Sequence, residues 1–201
     1  MLASISPVGE ASRRQRWPIT VTAYALASTL GGALIGTVLA GIGAAVGTGS
    51  WGAWALVLLA VVALAGAAID AGPAHVRVPS WRRQVDERWL TTYRGWVYGA
   101  GYGFQLGAAV LTIVSSPITY AALSAALLTG RPLHGAVVGA TFGAVRAAPL
   151  LLTGRVRTAA GLQRLHRRLD AATRRVGLAA IGAQLLVGTT AAALAFVGVP
   201  S

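Results

Sequence analysis

Long apolar stretches separated by clusters of arginine constrain this chain most strongly. Each stretch is long enough to cross a bilayer as a helix, which takes about 20 residues. We predict an all-α, polytopic transmembrane helix bundle with about five spans, formed by a single helical domain over residues 19–201 that follows a basic cytoplasmic tail over residues 1–18. The spans are expected at about Ile19–Val46, Trp51–Ile69, Val97–Leu127, Leu133–Leu152 and Val176–Val197.

The composition also points to lipid as the surrounding medium. Hydrophobic residues make up 55% of the 201 residues, charged residues make up only 11%, and the mean hydropathy is +0.66. A soluble domain normally has roughly a quarter of its residues charged, so a water-exposed surface is not expected here. The chain also has no cysteine, which excludes disulfides, thiol redox chemistry and thiolate metal ligands.

The arginines predict how the spans are oriented. Cytoplasmic loops of membrane proteins are enriched in basic residues. One set of connections holds only Arg131, whereas the alternate set, including the N-terminal tail, holds Arg13, Arg14, Arg16, Arg77, Arg82, Arg83, Arg88, Arg94, Arg155, Arg157, Arg164, Arg167, Arg168, Arg174 and Arg175. We therefore expect a multi-pass protein of a bacterial plasma membrane with its N-terminus in the cytoplasm and its C-terminus outside. The same bias accounts for the net charge of +12 without a nucleic-acid partner.

Two of the basic connections are amphipathic. In the segment 155–175, Leu162, Leu165 and Leu169 recur at helical spacing opposite the arginines. In the connection between the second and third spans, an aromatic and apolar set is spaced by four residues, namely Trp81, Val85, Trp89 and Tyr93. Leucine faces opposite arginine and belts of Trp and Tyr are typical of the membrane interface. We predict two amphipathic cytoplasmic segments that anchor on the lipid, and docking of a cytoplasmic partner is the alternative.

Glycines repeat every four residues inside the predicted spans. Such spacing stacks the glycines on one helix face and lets a neighbouring helix approach closely. The pattern predicts either a tightly packed bundle or the seam of a homo-oligomer, with helix-packing positions at Gly32, Gly36, Gly95, Gly99, Gly103, Gly107, Gly135, Gly139 and Gly143.

A small set of polar residues lies within the spans and forms the candidate intramembrane site. Pro117 removes a backbone hydrogen bond from the third span, so the helix is expected either to kink or to break there. Arg146 either reaches the cytoplasmic boundary or faces polar partners such as Gln105 or Gln184. The candidate site residues are Gln105, Ser115, Ser116, Pro117, Arg146 and Gln184.

The residues that enzymes use are not grouped in this sequence. His75, His134 and His166 fall in three different connections, so a metal triad is not expected. No histidine or aspartate is expected near the serines at a comparable depth in the membrane, where it could activate them. We therefore predict no enzymatic activity, no catalytic residue, no metal and no cofactor.

The order of elements resembles the transmembrane domain of the CcdA/DsbD-like family of thiol-disulfide electron carriers. The similar features are an apolar first segment TLGGALIGTVLAGIGA, a basic loop WRRQVDERW, a glycine-rich stretch GAGYGFQLG, a span containing Pro149 and a basic linker LQRLHRRLDAATRRVG. The resemblance implies the membrane fold of that family. It does not imply the family's reaction, because the first span and both redox cysteines have no counterpart here.

The sequence leaves three functions open. The first is a non-enzymatic scaffold or subunit of a membrane assembly, whose partners are the lipid bilayer and either a second copy or another membrane subunit. The second is a transporter of a small anionic or neutral polar solute, centred on the candidate intramembrane site. The third is a redox-inactive relative of the thiol-disulfide carriers.

Overall fold

The computed structural model describes residues 5–72, 89–109 and 116–197. Within these ranges the regular structure is entirely helical, which confirms the all-α class there. The helices are α1 (Pro7–Ser12), α2 (Trp17–Val46), α3 (Ala53–Ala71), α4 (Trp89–Thr92), α5 (Gly95–Gly107), α6 (Ile118–Leu128), α7 (Pro132–Leu151) and α8 (Ala159–Val197), with short 3-10 turns at Thr48–Ser50 and Leu152–Arg155.

Four of these helices, α2, α3, α7 and α8, are long and apolar enough to span a membrane. Their sequences explain their limits. Pro18 and Pro132 stand in the first turns of α2 and α7, where a missing N–H costs nothing. Gly47 has a φ of 79° and ends α2 in the left-handed conformation that glycine adopts readily.

The large apolar side chains of α2 lie on the outside of the bundle. Leu26, Leu30, Leu34, Val38 and Ile42 recur every four residues and are all exposed. From Ser28 to Gly43 the opposite face of the helix is buried and consists of glycine, serine and alanine. This arrangement is the one expected for a helix surrounded by lipid, because lipid accepts leucine while close helix contact needs small residues.

The third predicted span is two helices rather than one. Helix α5 ends at Gly107, Ala109 has a left-handed φ of 56°, and α6 begins only after Pro117. At 1.5 Å per residue the two helices are about 20 Å and about 17 Å long, so neither alone crosses a hydrocarbon core of about 30 Å. The predicted third span therefore consists of two helices, of which the first ends at Gly107 and the second begins at Ile118.

The two short helices lie along successive parts of α2. In α5, Gly103 and Gly107 contact the backbone at Tyr24 and Ser28, in the first half of α2. Near the other end of α2, Gly43 contacts the Leu127 carbonyl oxygen of α6, which also accepts a hydrogen bond from Thr48 Oγ1 at 3.1 Å. Together α5 and α6 thus follow the length of one long helix.

Helix α7 packs against α2 through glycine on both sides. A Cβ atom added to Gly32 would overlap the carbonyl oxygen of Gly139, and one added to Gly36 would overlap that of Gly135. The contact continues to Gly143, whose carbonyl oxygen accepts a hydrogen bond from Ser28 Oγ at 2.7 Å. The sequence left open whether these glycine faces form a tightly packed bundle or the seam of a homo-oligomer. In the structure, the glycine faces of α2 and α7 pack against each other within one chain.

Helices α3 and α8 form a second packed pair, and α6 lies beside them. Gly188 of α8 approaches Leu64 of α3 closely.

The second amphipathic segment is not a separate interfacial helix from Ala159 onward, because α8 runs without interruption to Val197. No proline interrupts the segment, and its leucine, arginine and alanine residues favour helix, so nothing ends the helix at the predicted boundary. Most of the first amphipathic segment lies outside the described residues.

Candidate functional site

A polar cluster joins α3, α6 and α8 at the helix break. The Asp70 carboxylate oxygen Oδ2 accepts a hydrogen bond from Ser116 Oγ at 2.9 Å and another from Gln184 Nε2 at 2.8 Å. The Ser116 hydroxyl oxygen also lies 3.3 Å from the backbone N–H of Ile118, in the first turn of α6. The break before Pro117 therefore places a serine where it reaches the carboxylate of another helix.

Gln184 is the most buried member of the cluster, with 1% of its surface exposed. Its amide nitrogen has Asp70 and the Ala180 carbonyl as partners, but its oxygen Oε1 has no hydrogen-bond partner among the described residues. The oxygen lies against Gly66, where a Cβ atom would overlap it. A buried amide oxygen without a donor is destabilising, so the cluster has capacity for one more hydrogen-bond donor.

The structure brings together three of the residues that the sequence proposed for this site, namely Ser116, Pro117 and Gln184. It does not bring Gln105 or Arg146 to them. Gln105 lies on α5 and Arg146 on α7, and both helices pack against α2, whereas Asp70 and Gln184 belong to the α3–α8 pair. Ser115 lies outside the described residues.

Arg146 contacts an aromatic ring rather than either glutamine. Its guanidinium carbon lies 5.3 Å from the centroid of the Phe142 ring, one turn earlier in α7. A guanidinium within about 6 Å of a ring centroid gains a cation–π interaction. The predicted pairing of Arg146 with Gln105 or Gln184 is thus not observed.

The presence of Asp70 changes the chemistry that the cluster supports. The sequence prediction combined an arginine with two glutamines, which suits an anionic or neutral solute. The observed cluster combines a carboxylate, an amide oxygen and a hydroxyl, which suits a neutral hydrogen-bond donor or a cation. Sequence analysis did not include Asp70 among the candidate site residues and expected no aspartate near the serines, although Asp70 is the acidic residue inside an otherwise apolar helix and accepts the Ser116 hydrogen bond.

A second polar cluster, built on Glu10, closes the end of the bundle where α2 and α5 begin. Glu10 is fully buried, and its Oε2 accepts a hydrogen bond from Thr20 Oγ1 at 2.7 Å. Its Oε1 accepts hydrogen bonds from the Tyr98 hydroxyl and from Arg13 Nη2, the latter at 2.7 Å. Three donors from α2, α5 and the turn after α1 therefore meet on one carboxylate.

The segment that the sequence treated as a basic tail is packed onto the helices. Ile5 is fully buried in a core cluster with Tyr24 and Tyr98, and its carbonyl oxygen accepts a hydrogen bond from Trp17 Nε1 at 3.2 Å. Gln15 Oε1 accepts one from the backbone N–H of Gly95, the first residue of α5, at 3.0 Å. Sequence analysis did not identify Glu10 as a buried hydrogen-bond acceptor, because arginines dominate this segment. The three-residue spacing of Glu10 and Arg13 was nevertheless a signal for an ion pair.

Arg13 stays charged in this environment. Burial lowers the pKa of Arg13, but its hydrogen bonds to Glu10 and to Tyr98 raise it, and the net direction is upward. The Arg13 guanidinium therefore stays protonated over the whole physiological pH range. Among the residues that the structure describes, no group of three or more His, Cys, Asp or Glu side chains could hold a metal ion.

Comparison with known proteins relates this chain to proteins of methylamine metabolism. It is 33% identical over 134 residues to the methylamine utilization protein MauF of Paracoccus denitrificans, covering 67% of this chain and 48% of that protein. It is 34% identical over 142 residues to MauF of Methylophilus methylotrophus, covering 67% and 47%, and 31% identical over 151 residues to MauF of Paracoccus versutus, covering 74% and 55%. No family model and no solved structure matches the chain.

The chain spans about half the length of the curated relatives it matches.

These relatives correct the resemblance to the CcdA/DsbD-like family that was drawn from the sequence. The similar proteins are MauF proteins and not members of the CcdA/DsbD-like family, so the assignment to that family is wrong. Its basis was a set of glycine-rich apolar segments and basic linkers, and such features are shared by unrelated membrane helices.

We predict that Glu10→Ala destabilises the protein by about 3 kcal/mol, because it leaves the Arg13 charge and two buried hydroxyls without their common acceptor. The free energy of unfolding in mixed micelles, followed by tryptophan fluorescence, measures the loss. Ser12→Ala is the matched control, since Ser12 lies in the same helix but its hydroxyl bonds only to the nearby Gly9 carbonyl at the exposed surface. Equal stabilities of the two variants would contradict the role given to Glu10.

Proposed function

We propose that this chain is a non-enzymatic membrane component of methylamine utilization, acting as a scaffold or as a subunit of a membrane assembly. The observation that carries this proposal is its similarity, at 29–34% identity, to four proteins that are all named methylamine utilization protein MauF. The similarity extends over 67–74% of this chain, so it includes most of the helical domain.

The proposal includes five crossings of a bacterial plasma membrane, with the N-terminus inside and the C-terminus outside. Four crossings correspond to α2, α3, α7 and α8, and the fifth to α5 and α6 in succession. Support comes from the way these two short helices follow α2 and from the distribution of arginine. Trp51 and Trp54, at the connection between α2 and α3, are exposed as expected for side chains at the outer interface.

A structural role agrees with how the buried polar groups are used. The Glu10 carboxylate is fully buried and accepts three hydrogen bonds from within the chain, so it is not exposed to a substrate. The Asp70 carboxylate links three helices. The close contacts of α2 with its neighbours are made at glycine, which can hold helices together but offers no reactive group.

A deletion strain and affinity purification together test this proposal. We expect loss of the gene to abolish growth of its native host on methylamine as the nitrogen source and to leave growth on ammonium unchanged. We also expect the tagged chain, solubilised in mild detergent from methylamine-grown cells, to recover a stoichiometric membrane partner. Normal growth on methylamine, or recovery of the chain alone as a monomer, would contradict an accessory role in an assembly.

A second candidate function, transport of a small polar solute, is favoured by the cluster of Asp70, Ser116 and Gln184. Transporters commonly place their sites at broken helices, and this cluster lies at one. The Gln184 oxygen Oε1, which has no partner among the described residues, and the Asp70 carboxylate would accept hydrogen bonds from a neutral or cationic solute better than from an anion.

Flux measurements in proteoliposomes distinguish this second candidate from the first. If the chain transports methylammonium, purified protein alone should catalyse its uptake, and Asp70→Asn should lower the rate by at least about tenfold because the carboxylate charge is lost. Asp170→Asn is the matched control, since Asp170 is exposed on α8 outside the cluster. The scaffold proposal instead predicts no uptake above that of empty liposomes.

A further inference from the structure

A basic cleft of about 760 Å³ lies at the junction of α7 and α8, on the side that the arginine distribution assigns to the cytoplasm. We call it the α7–α8 cleft. Its lining combines four arginines with apolar side chains, chiefly Arg155, Arg157, Arg164, Arg168, Leu152 and Leu165. Neither the helix packing nor the proposed role in methylamine utilization accounts for this concentration of charge.

The four arginines have no acidic partner in the part of the chain that the structure describes. The ion pair in the described residues joins Arg13 to Glu10, and neither of these residues lines the cleft. Arg164 and Arg168 are also one helical turn apart, a spacing at which like charges repel each other. Among the described residues, no carboxylate therefore compensates the charge of these four exposed guanidinium groups.

The start of α8 adds to the positive character of the cleft. Thr158 and Gly161 belong to its lining, and the Thr158 side chain accepts a hydrogen bond from the Gly161 N–H at 3.1 Å. The other N–H groups of the first turn of a helix have no partner within the helix, and the helix dipole is positive at this end. With the arginines, they form a site suited to the oxygens of a phosphate group.

Apolar side chains border the charged part of the cleft. Leu151 and Leu152, at the end of α7, are 54% and 57% exposed although they are large and apolar. Leu165 faces the same cleft from α8. A free phosphate ion would gain nothing from these leucines, whereas the acyl chains of a lipid would cover them.

We propose that the α7–α8 cleft binds the phosphate headgroup of an anionic phospholipid of the cytoplasmic leaflet. The arginines hold the phosphate oxygens by charge-assisted hydrogen bonds, and Leu151 and Leu152 contact the acyl chains. Such a site would fix the position of α8 relative to α7 at the membrane surface. The inference requires that the chain is embedded in a membrane but not that it takes part in methylamine utilization.

Native mass spectrometry of the purified full-length chain in detergent tests this assignment, with cardiolipin and phosphatidylcholine as the added probes. We expect cardiolipin to bind and zwitterionic phosphatidylcholine not to compete. The double variant Arg164→Gln/Arg168→Gln should weaken cardiolipin binding by about tenfold or more, because it removes two charge-assisted contacts. The matched control, Arg174→Gln/Arg175→Gln, removes the same charge from α8 outside the cleft and should bind as the unaltered chain does.

Three outcomes would overturn the assignment. Equal weakening in both double variants would indicate diffuse attraction to a basic surface, and no weakening in either would exclude the cleft. Displacement of cardiolipin by millimolar inorganic phosphate would indicate a site for a small anion rather than a lipid. If Arg164→Gln/Arg168→Gln does not fold, Arg155→Gln/Arg157→Gln, in the connection before α8, provides the same test without altering a long helix.

Discussion

Direct backbone contact at glycine is the interaction on which the rest of this structure depends. In lipid, apolar surface gains little by leaving its surroundings, so helices associate only where they can approach closely. Helix α2 meets α7 through Gly32 and Gly36, and it meets the backbone of α5 at the glycines at positions 99, 103 and 107. The large apolar side chains of α2 point outward instead. Small residues inside and large residues outside reverse the pattern of a soluble protein.

The two polar clusters lie where this glycine packing stops. At the end of the bundle where α2 and α5 begin, the segment around Glu10 packs on both helices, and the Glu10 carboxylate accepts hydrogen bonds from both. Where α5 ends and α6 begins, backbone groups leave the regular helix, and Ser116 bonds to Asp70 on a different helix pair. The Asp70 cluster therefore links the α3–α8 pair to the glycine-packed helices. A scaffold needs such links, and a transport site would use the same break.

The sequence was sufficient for the elements that hydropathy alone determines. The limits of α2, α3 and α7 agree with the predicted spans to within about two residues, because apolar length and proline or glycine at the ends define them. The break between α5 and α6 was left open, since the apolar character continues through it. The hydrogen bonds of the buried Glu10 and the half-buried Asp70 depend on which helices are neighbours, as does the separation of Arg146 from Gln184, and a one-dimensional pattern does not contain that information. The incorrect family assignment had a different cause, because glycine-rich apolar segments and basic linkers are shared by unrelated membrane helices.

The stabilities of Gly36→Ala and Gly41→Ala test the central claim most directly. Both positions lie in α2, but a Cβ atom at Gly36 would overlap the backbone of Gly135, whereas nothing lies within 4 Å of one at Gly41. We predict that Gly36→Ala lowers the free energy of unfolding in detergent by about 2 kcal/mol and that Gly41→Ala leaves it unchanged or slightly higher. Equal stabilities would show that α2 and α7 are not held by backbone contact at these glycines.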